Sequence, residues 1–197
     1  ILSVSTTLIL PAAPPPNQGN VSISPGLLNN EPNIDMIQTL ATTDSANCGA
    51  KRNDQWCVWA NAYHCPPGSL DPPNTPDCVT NTAGGVAVNA GTRVTIEYNY
   101  DGSSGQVTQI VGIDGKVRLS QSTSSGKGRW MNMITDCDKC WGSSIDAYSY
   151  VDTTVVLENA DGGFGRGVVM DGVQHSDVRT VDGGRTWKVD WMHVDGY

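Results

Sequence analysis

Apolar and polar residues alternate through most of the second half of the chain. In Val94-Thr95-Ile96-Glu97-Tyr98-Asn99-Tyr100 every other side chain is apolar. Successive side chains of a strand point to opposite faces, so this run predicts a half-buried strand with Glu97 turned away from Val94, Ile96 and Tyr98. Gln109 to Gln121 reads as two alternating runs hinged at Asp114-Gly115, where glycine supplies the positive φ that a tight hairpin needs. The same Asp-Gly punctuation recurs at 101–102, 161–162, 171–172, 182–183 and 195–196. Candidate strands between these corners are Gln106 to Ile113, Lys116 to Ser122, Thr153 to Glu158, Gly167 to Met170 and Arg185 to Val194. Helical periodicity is almost absent. The pattern predicts an all-β fold, an antiparallel β-sandwich of jelly-roll type.

The first half is less regular. A β-branched run, Leu2 to Leu10, breaks at Pro11 and Pro14-Pro15-Pro16, residues that cannot donate to a sheet ladder. Residues 1–47 are therefore expected to form an irregular N-terminal arm laid on the surface, with Ile34 to Leu40 either a helical turn or a short strand. Residues 48–82 carry four cysteines and two Pro-Pro pairs, which predicts a disulfide-rich loop region with one strand, Gln55 to Tyr63. Residues 83–197 supply the main hairpin sheets. At 197 residues with no composition break, the whole chain, 1–197, is expected to be a single β-sandwich domain.

A net charge of −8 with scattered basic residues offers no concentrated basic face for nucleic acid or an anionic membrane. No apolar run approaches the roughly 20 residues needed to span a bilayer. Neither partner is expected. Six cysteines (Cys48, Cys57, Cys65, Cys78, Cys137 and Cys140) and the Asn20-Val21-Ser22 acceptor triplet point to an oxidising, extracellular setting, hence a secreted protein. Zinc is the competing use of Cys137-Asp138-Lys139-Cys140, but no second CxxC or histidine pair accompanies it. Disulfides are expected, with the 48–78 group stapled internally and Cys137 joined to Cys140 or to another loop. The acidic turns lack DxDxDG calcium spacing, so no cofactor and no metal is expected.

Candidate chemistry is sparse. Only Glu31, Glu97 and Glu158 occur among 20 acidic residues, and two of them fall on predicted strands. Paired carboxylates on one sheet could protonate a leaving group and activate water, as glycan hydrolysis requires; the plain alternative is a solvated strand face and a strand-end cap. His175-Ser176-Asp177 lists triad residue types, but adjacent positions on an extended chain point opposite ways. Six tryptophans stand against a single phenylalanine. Trp187 and Trp191 share a predicted strand face with Val189 and are expected in the core. Trp130 and Trp141 fall in Gly-rich polar loops, where an indole could stack on a sugar ring or cover the Cys137–Cys140 loop.

The segment Val111-Gly112-Ile113-Asp114-Gly115, followed by Gln121, resembles the strand-turn-strand segment of the eqolisins, the glutamic peptidases of fungi. The tail, with Thr153 to Asp161 and Asp182-Gly183-Gly184-Arg185-Thr186-Trp187, resembles secreted fungal proteins that share the same sandwich. The resemblance implies a concanavalin-like β-sandwich and acid-active peptide hydrolysis by a Gln and a Glu on neighbouring strands of a groove. The chain departs from the family at Ile110, where a Trp precedes VGIDG, and in the closer spacing of Gln121 to the turn. The family's glutamate follows an Ala at the start of a late strand, whereas Thr153 to Glu158 carries its acid at the far end.

Two functions follow as expectations. The first is a secreted, non-enzymatic, monomeric protein that binds an extracellular glycan or protein ligand through a sheet groove or the loops of Trp130 and Trp141. The alternative is an acid hydrolase, eqolisin-like or glycan-cleaving, that uses Glu97 or Glu158 with Gln109 or Gln121.

Overall fold

The structure, a computed structural model, describes residues 1–14, 19–29, 34–43, 48–49, 54–66, 78–138 and 144–196, the side chains of Ile34 and Asp138 apart. In chain order its strands are β1 (Ser3–Ile9), β2 (Asn20–Asn29), β3 (Ile34–Thr42), β4 (Trp56–Cys65), β5 (Val79–Val88), β6 (Arg93–Asp101) and β7 (Gln106–Ile113). There follow β8 (Lys116–Thr123), β9 (Trp130–Asp138), β10 (Tyr148–Val156), β11 (Val173–His175), β12 (Arg179–Thr180) and β13 (Thr186–Val194), with a 3-10 turn at Phe164–Gly167. Sheet A has eight strands in the order β11–β13–β10–β1–β6–β7–β8, with β12 on β13; sheet B has five, β5–β4–β3–β2–β9. Every pairing is antiparallel. The two-sheet sandwich expected from the alternation is present.

Half-buried strands come out where alternation placed them. β6 buries Val94, Ile96 and Tyr98 and exposes Glu97. β7 and β8 join at Asp114 and Gly115, both with positive φ (48° and 78°), the backbone a two-residue hairpin requires. Gly167 to Met170 is not a strand: the 3-10 turn ends there, in the long connection from β10 to β11.

The largest correction concerns residues 1–47, which are no surface arm. β1 lies between β10 and β6 in sheet A, and β2 and β3 lie inside sheet B. Pro11 and Pro14 fall after β1 has ended. Pro25, by contrast, sits within interior strand β2. Pairing of β2 with β3 is interrupted between Ile23↔Ala41 and Gly26↔Gln38, and the Tyr98 hydroxyl of sheet A enters that gap. It accepts from the Thr39 N–H at 2.7 Å and donates to the Pro25 carbonyl at 2.7 Å. A side chain thus supplies what the ladder lacks, and proline is tolerated where it is usually excluded. Ile34 to Leu40 resolves as part of strand β3 rather than a helical turn.

In the 48–82 region the expected strand is present as β4, its ends shifted by one and two residues, and β5 begins at Val79, inside the expected loop. Cys48–Cys57 and Cys65–Cys78 are bonded, one near each end of β4, which is the internal stapling anticipated. Each closure contributes roughly 2 to 4 kcal/mol. Cys137 is also disulfide-bonded; Cys140 lies outside the described residues. Trp187 is buried as expected, but Trp191 is 45% exposed. Asp190 and Trp191 both face outward before Met192 returns to the core, and the opposing β10 carries Asp152 at φ 56°, so strict alternation fails here on both strands.

Candidate functional site

The residues singled out from sequence do not converge. Glu97 pairs across β6 with Ser5 and Ile110 and is exposed on the outer face of sheet A. Gln109 is on the adjacent strand but on the inner face, fully buried. Its Nε2 donates to the Gln38 carbonyl at 2.8 Å and to Thr39 Oγ1 at 2.9 Å, and its Oε1 accepts from Gln121 Nε2 at 2.8 Å. Gln109 is therefore occupied in joining the two sheets, and Gln121 in bonding to it within sheet A. Glu158 follows the end of β10, exposed and ion-paired with Lys127, whose hydrogen bond and charge hold its carboxyl below the ordinary value. The hairpin of β7 and β8 folds a sheet and carries no reactive pair. Trp130 opens β9 and is 50% exposed; Trp141 and Glu31 lie outside the described residues. Among those residues no group of three or more His, Cys, Asp or Glu is placed to hold a metal ion.

What the fold does assemble is a row of polar side chains across the outer face of sheet B. Residues directly opposite in neighbouring antiparallel strands share a face. The register aligns Thr82 with Asn61, Asn61 with Gln38, Gln38 with Gly26 and Gly26 with Asn132. Since Ile37, Thr39 and Ala41 face the other sheet, Gln38 faces outward, yet it and Asn61 are each only 6% exposed. Thr82 Oγ1 donates to Asn61 Oδ1, and Asn61 Nδ2 to the Tyr63 hydroxyl.

The row narrows at Gly26. A Cβ there would lie 3.0 Å from Gln38 Cβ and 3.2 Å from Asn132 Oδ1, so only glycine lets the two carboxamide side chains close over the strand between them. Asn132 Oδ1 is buried and has no hydrogen-bond partner, although buried polar atoms are almost always paired. An acceptor is thus held ready beside Gln38.

Apolar rows flank this floor on both sides. Tyr63, Met36, Leu28 and Trp130 align in one; Trp59 and Leu40 pair in the other, which Ser24 and Ile134 continue. Trp130 and Ile134, 46% exposed, leave apolar surface open at the β9 edge, and a contiguous patch of this kind marks a contact surface. None of Gln38, Asn61 and Asn132 was marked from sequence. Their trace was present: Gln38 between Met36 and Leu40, and Asn132 within Trp130-Met131-Asn132-Met133-Ile134, are amides set inside apolar runs.

No family model and no curated protein matches the chain. Two solved structures do, both of scytalido-glutamic peptidase. One, with a peptide-based transition-state analog, superposes with a TM-score of 0.52 at 13% identity over 96% of this chain and 91% of that one. The other, with a transition-state analog inhibitor, gives 0.50 at 14% identity over the same shares. At such identity the likeness establishes the fold, and the sequence expectation of an eqolisin-like sandwich stands.

Proposed function

We propose that the chain binds an extended peptide across the outer face of sheet B and does not cut it by the Gln–Glu chemistry of glutamic peptidases. The unpartnered Asn132 Oδ1 beside Gln38 carries this reading. A peptide bond offers one N–H and one C=O, and two neighbouring carboxamides can take both. The apolar rows to either side suit alternate side chains of an extended ligand. The fold shared with a peptidase crystallised around a peptide-based analog supports a peptide as the ligand class. The oxidised cysteines support an extracellular setting.

Hydrolysis by a Gln–Glu pair needs a carboxylate to take a proton from water while the amide holds the oxyanion. A carboxamide takes no proton at working pH. The residue beside Gln38 is Asn132, an amide, and Glu97 and Glu158 stand elsewhere. The acid-hydrolase reading draws on the shared fold and is the competitor to test. The glycan reading draws on Trp130 alone.

The experiment is binding and cleavage of reduced, unfolded casein and of oligosaccharides, followed by tryptophan fluorescence and by release of new N termini over about pH 2 to 7. The expected result is peptide binding in the micromolar range, weakened about tenfold in Asn132→Ala and more in Gly26→Val, with no cleavage. Acid cleavage by the unaltered chain would replace the binding reading with the hydrolase one. Saccharide binding without peptide binding would restore the glycan reading. Asn132→Glu, which sets a carboxylate beside Gln38, asks whether acid is the missing part.

A further inference from the structure

Sheet A is wider than sheet B, and β13 and β11 overhang the β9 edge. Beneath the overhang is a cavity of 720 Å³. Met131 and Met133 of β9 form one wall; Tyr150, Val155, Val189 and Met192 of β10 and β13 form another; Phe164, Met170 and Val178 of the β10–β13 connections border its loop side. The charged residues that line it, Arg129, Asp161 and Asp171, are all exposed and so belong to its mouth. Phe164, Met170 and Val178 are only half-buried, so the cavity opens to solvent on its loop side and a ligand can enter. This volume falls within the range of small-molecule sites, about 300 to 1,000 Å³.

Three buried tyrosines make the contrast that identifies an occupant. Tyr98 bonds to Thr39 and Pro25, and Tyr148 to Thr135, so both hydroxyls reach sheet B. Tyr150, 1% exposed, lines the cavity, and its hydroxyl has no partner. The other unpartnered buried atom, Asn132 Oδ1, stands on the outer face of sheet B beside Gln38. The Tyr150 hydroxyl is therefore the buried polar group that the cavity leaves to an occupant, and it can donate or accept.

We propose that this cavity is a binding site for a neutral, chiefly apolar small molecule whose one polar end faces the Tyr150 hydroxyl. A carboxylate or ammonium would lose its hydration at an end that holds no charged side chain. Burial pushes the Tyr150 pKa well up, which keeps its proton in place for donation. The inference is independent of peptide binding on the outer face, since Tyr150, Val178 and Met170 take no part there.

The test uses N-phenyl-1-naphthylamine, a neutral apolar dye with one N–H donor, followed by its fluorescence. Saturable binding on the order of 10 μM is expected. Val178→Trp and Met170→Trp fill the cavity from its loop side and should each weaken binding at least about tenfold without altering the thermal midpoint by more than a few degrees. Tyr150→Phe should weaken it by a smaller factor. Absence of saturable binding to folded protein overturns the proposal. So does affinity unchanged in both filled variants but lost in Tyr63→Ala, which would place the dye on the outer apolar rows, since Tyr63 does not line the cavity. Unchanged affinity in Tyr150→Phe overturns the assigned role of the hydroxyl.

Discussion

At the β7–β8 end of the sandwich a buried polar side chain joins the sheets with its hydrogen bonds made: Gln109 donates twice to β3 and accepts from Gln121. At the β9–β10 end two buried polar atoms have no partner: Tyr150 Oη, which borders a cavity between the sheets, and Asn132 Oδ1, on the outer face of sheet B. The two ends share one architecture and one residue chemistry. The first satisfies its own polar groups, so it is closed to any ligand and serves stability. The second leaves an acceptor and a donor to something from outside. Amide side chains alone therefore do not mark a site; the absence of an internal partner does.

The sharpest way to break this contrast is Gln109→Leu. The change keeps the approximate shape but strips the Gln109 donor from the Gln38 carbonyl and its acceptor from half-buried Gln121 Nε2, and leaves Thr39 Oγ1 with the Tyr98 hydroxyl at 3.2 Å. Each abandoned polar atom costs about 1 to 3 kcal/mol, so denaturant unfolding should show a loss of roughly 3 to 5 kcal/mol. A loss under about 1 kcal/mol would mean that water serves the network and the two ends do not differ.

Tyr98→Phe comes next. It reopens the gap that Pro25 leaves in β2, abandoning the Thr39 N–H and the Pro25 carbonyl. The expected cost is about 2 to 3 kcal/mol, read from the same unfolding curves.

A smaller effect belongs to Asp35, buried at the start of β3 with its carboxylate 2.5 Å from His64 Nδ1. Burial raises its pKa above 3.8, with His64 opposing the shift. For a folded pKa raised above the unfolded value, the contribution to stability is fully present below about 3.8 and is lost as pH rises through the folded value. Asp101 works the other way. Its hydrogen bonds from Ser103 and Ser104 pull it down to about 2, so its contribution is lost only as pH falls through that value. Unfolding measured between about pH 3 and 6 should therefore show an Asp35-linked decline with rising pH that Asp35→Asn removes. A decline of equal slope in the variant would exclude Asp35 as its source.

These placements explain how far the sequence could be read. β6, β7 and β8 were legible because each buries one face only, and alternation survives where one face is wet. β2 and β3 were not, because almost every residue in them is covered, and period two disappears when both faces are buried. Pro25 and Gly26 are residue types usual in turns, yet Tyr98 mends the first and the approach of Gln38 and Asn132 requires the second. The disulfide grouping was legible from spacing alone. The polar row was not, since its members lie on five strands and meet only through the register of a sheet whose order, β5–β4–β3–β2–β9, no local pattern encodes. Gln109 and Gln121 were picked out for the right residue type on the wrong face: Gln109 follows Thr108 and precedes Ile110, and inward placement at full burial reversed what exposure would have meant.

The finest distinction rests on Tyr150→Phe in the unliganded protein. The phenol oxygen has no partner to lose, whereas at Tyr98 the same deletion abandons two backbone groups. Removing a buried hydroxyl that lacks a hydrogen bond relieves its desolvation and keeps the ring in its edge-on contact with Tyr148, 5.8 Å between centroids. Stability should therefore change by no more than about 0.5 kcal/mol, or rise slightly. The identical chemical change thus costs about 2 to 3 kcal/mol at one inward tyrosine and nothing measurable at another. If the two losses prove equal, Tyr150 already has an internal partner or an ordered water, and the β9–β10 end is as self-sufficient as the end that Gln109 closes.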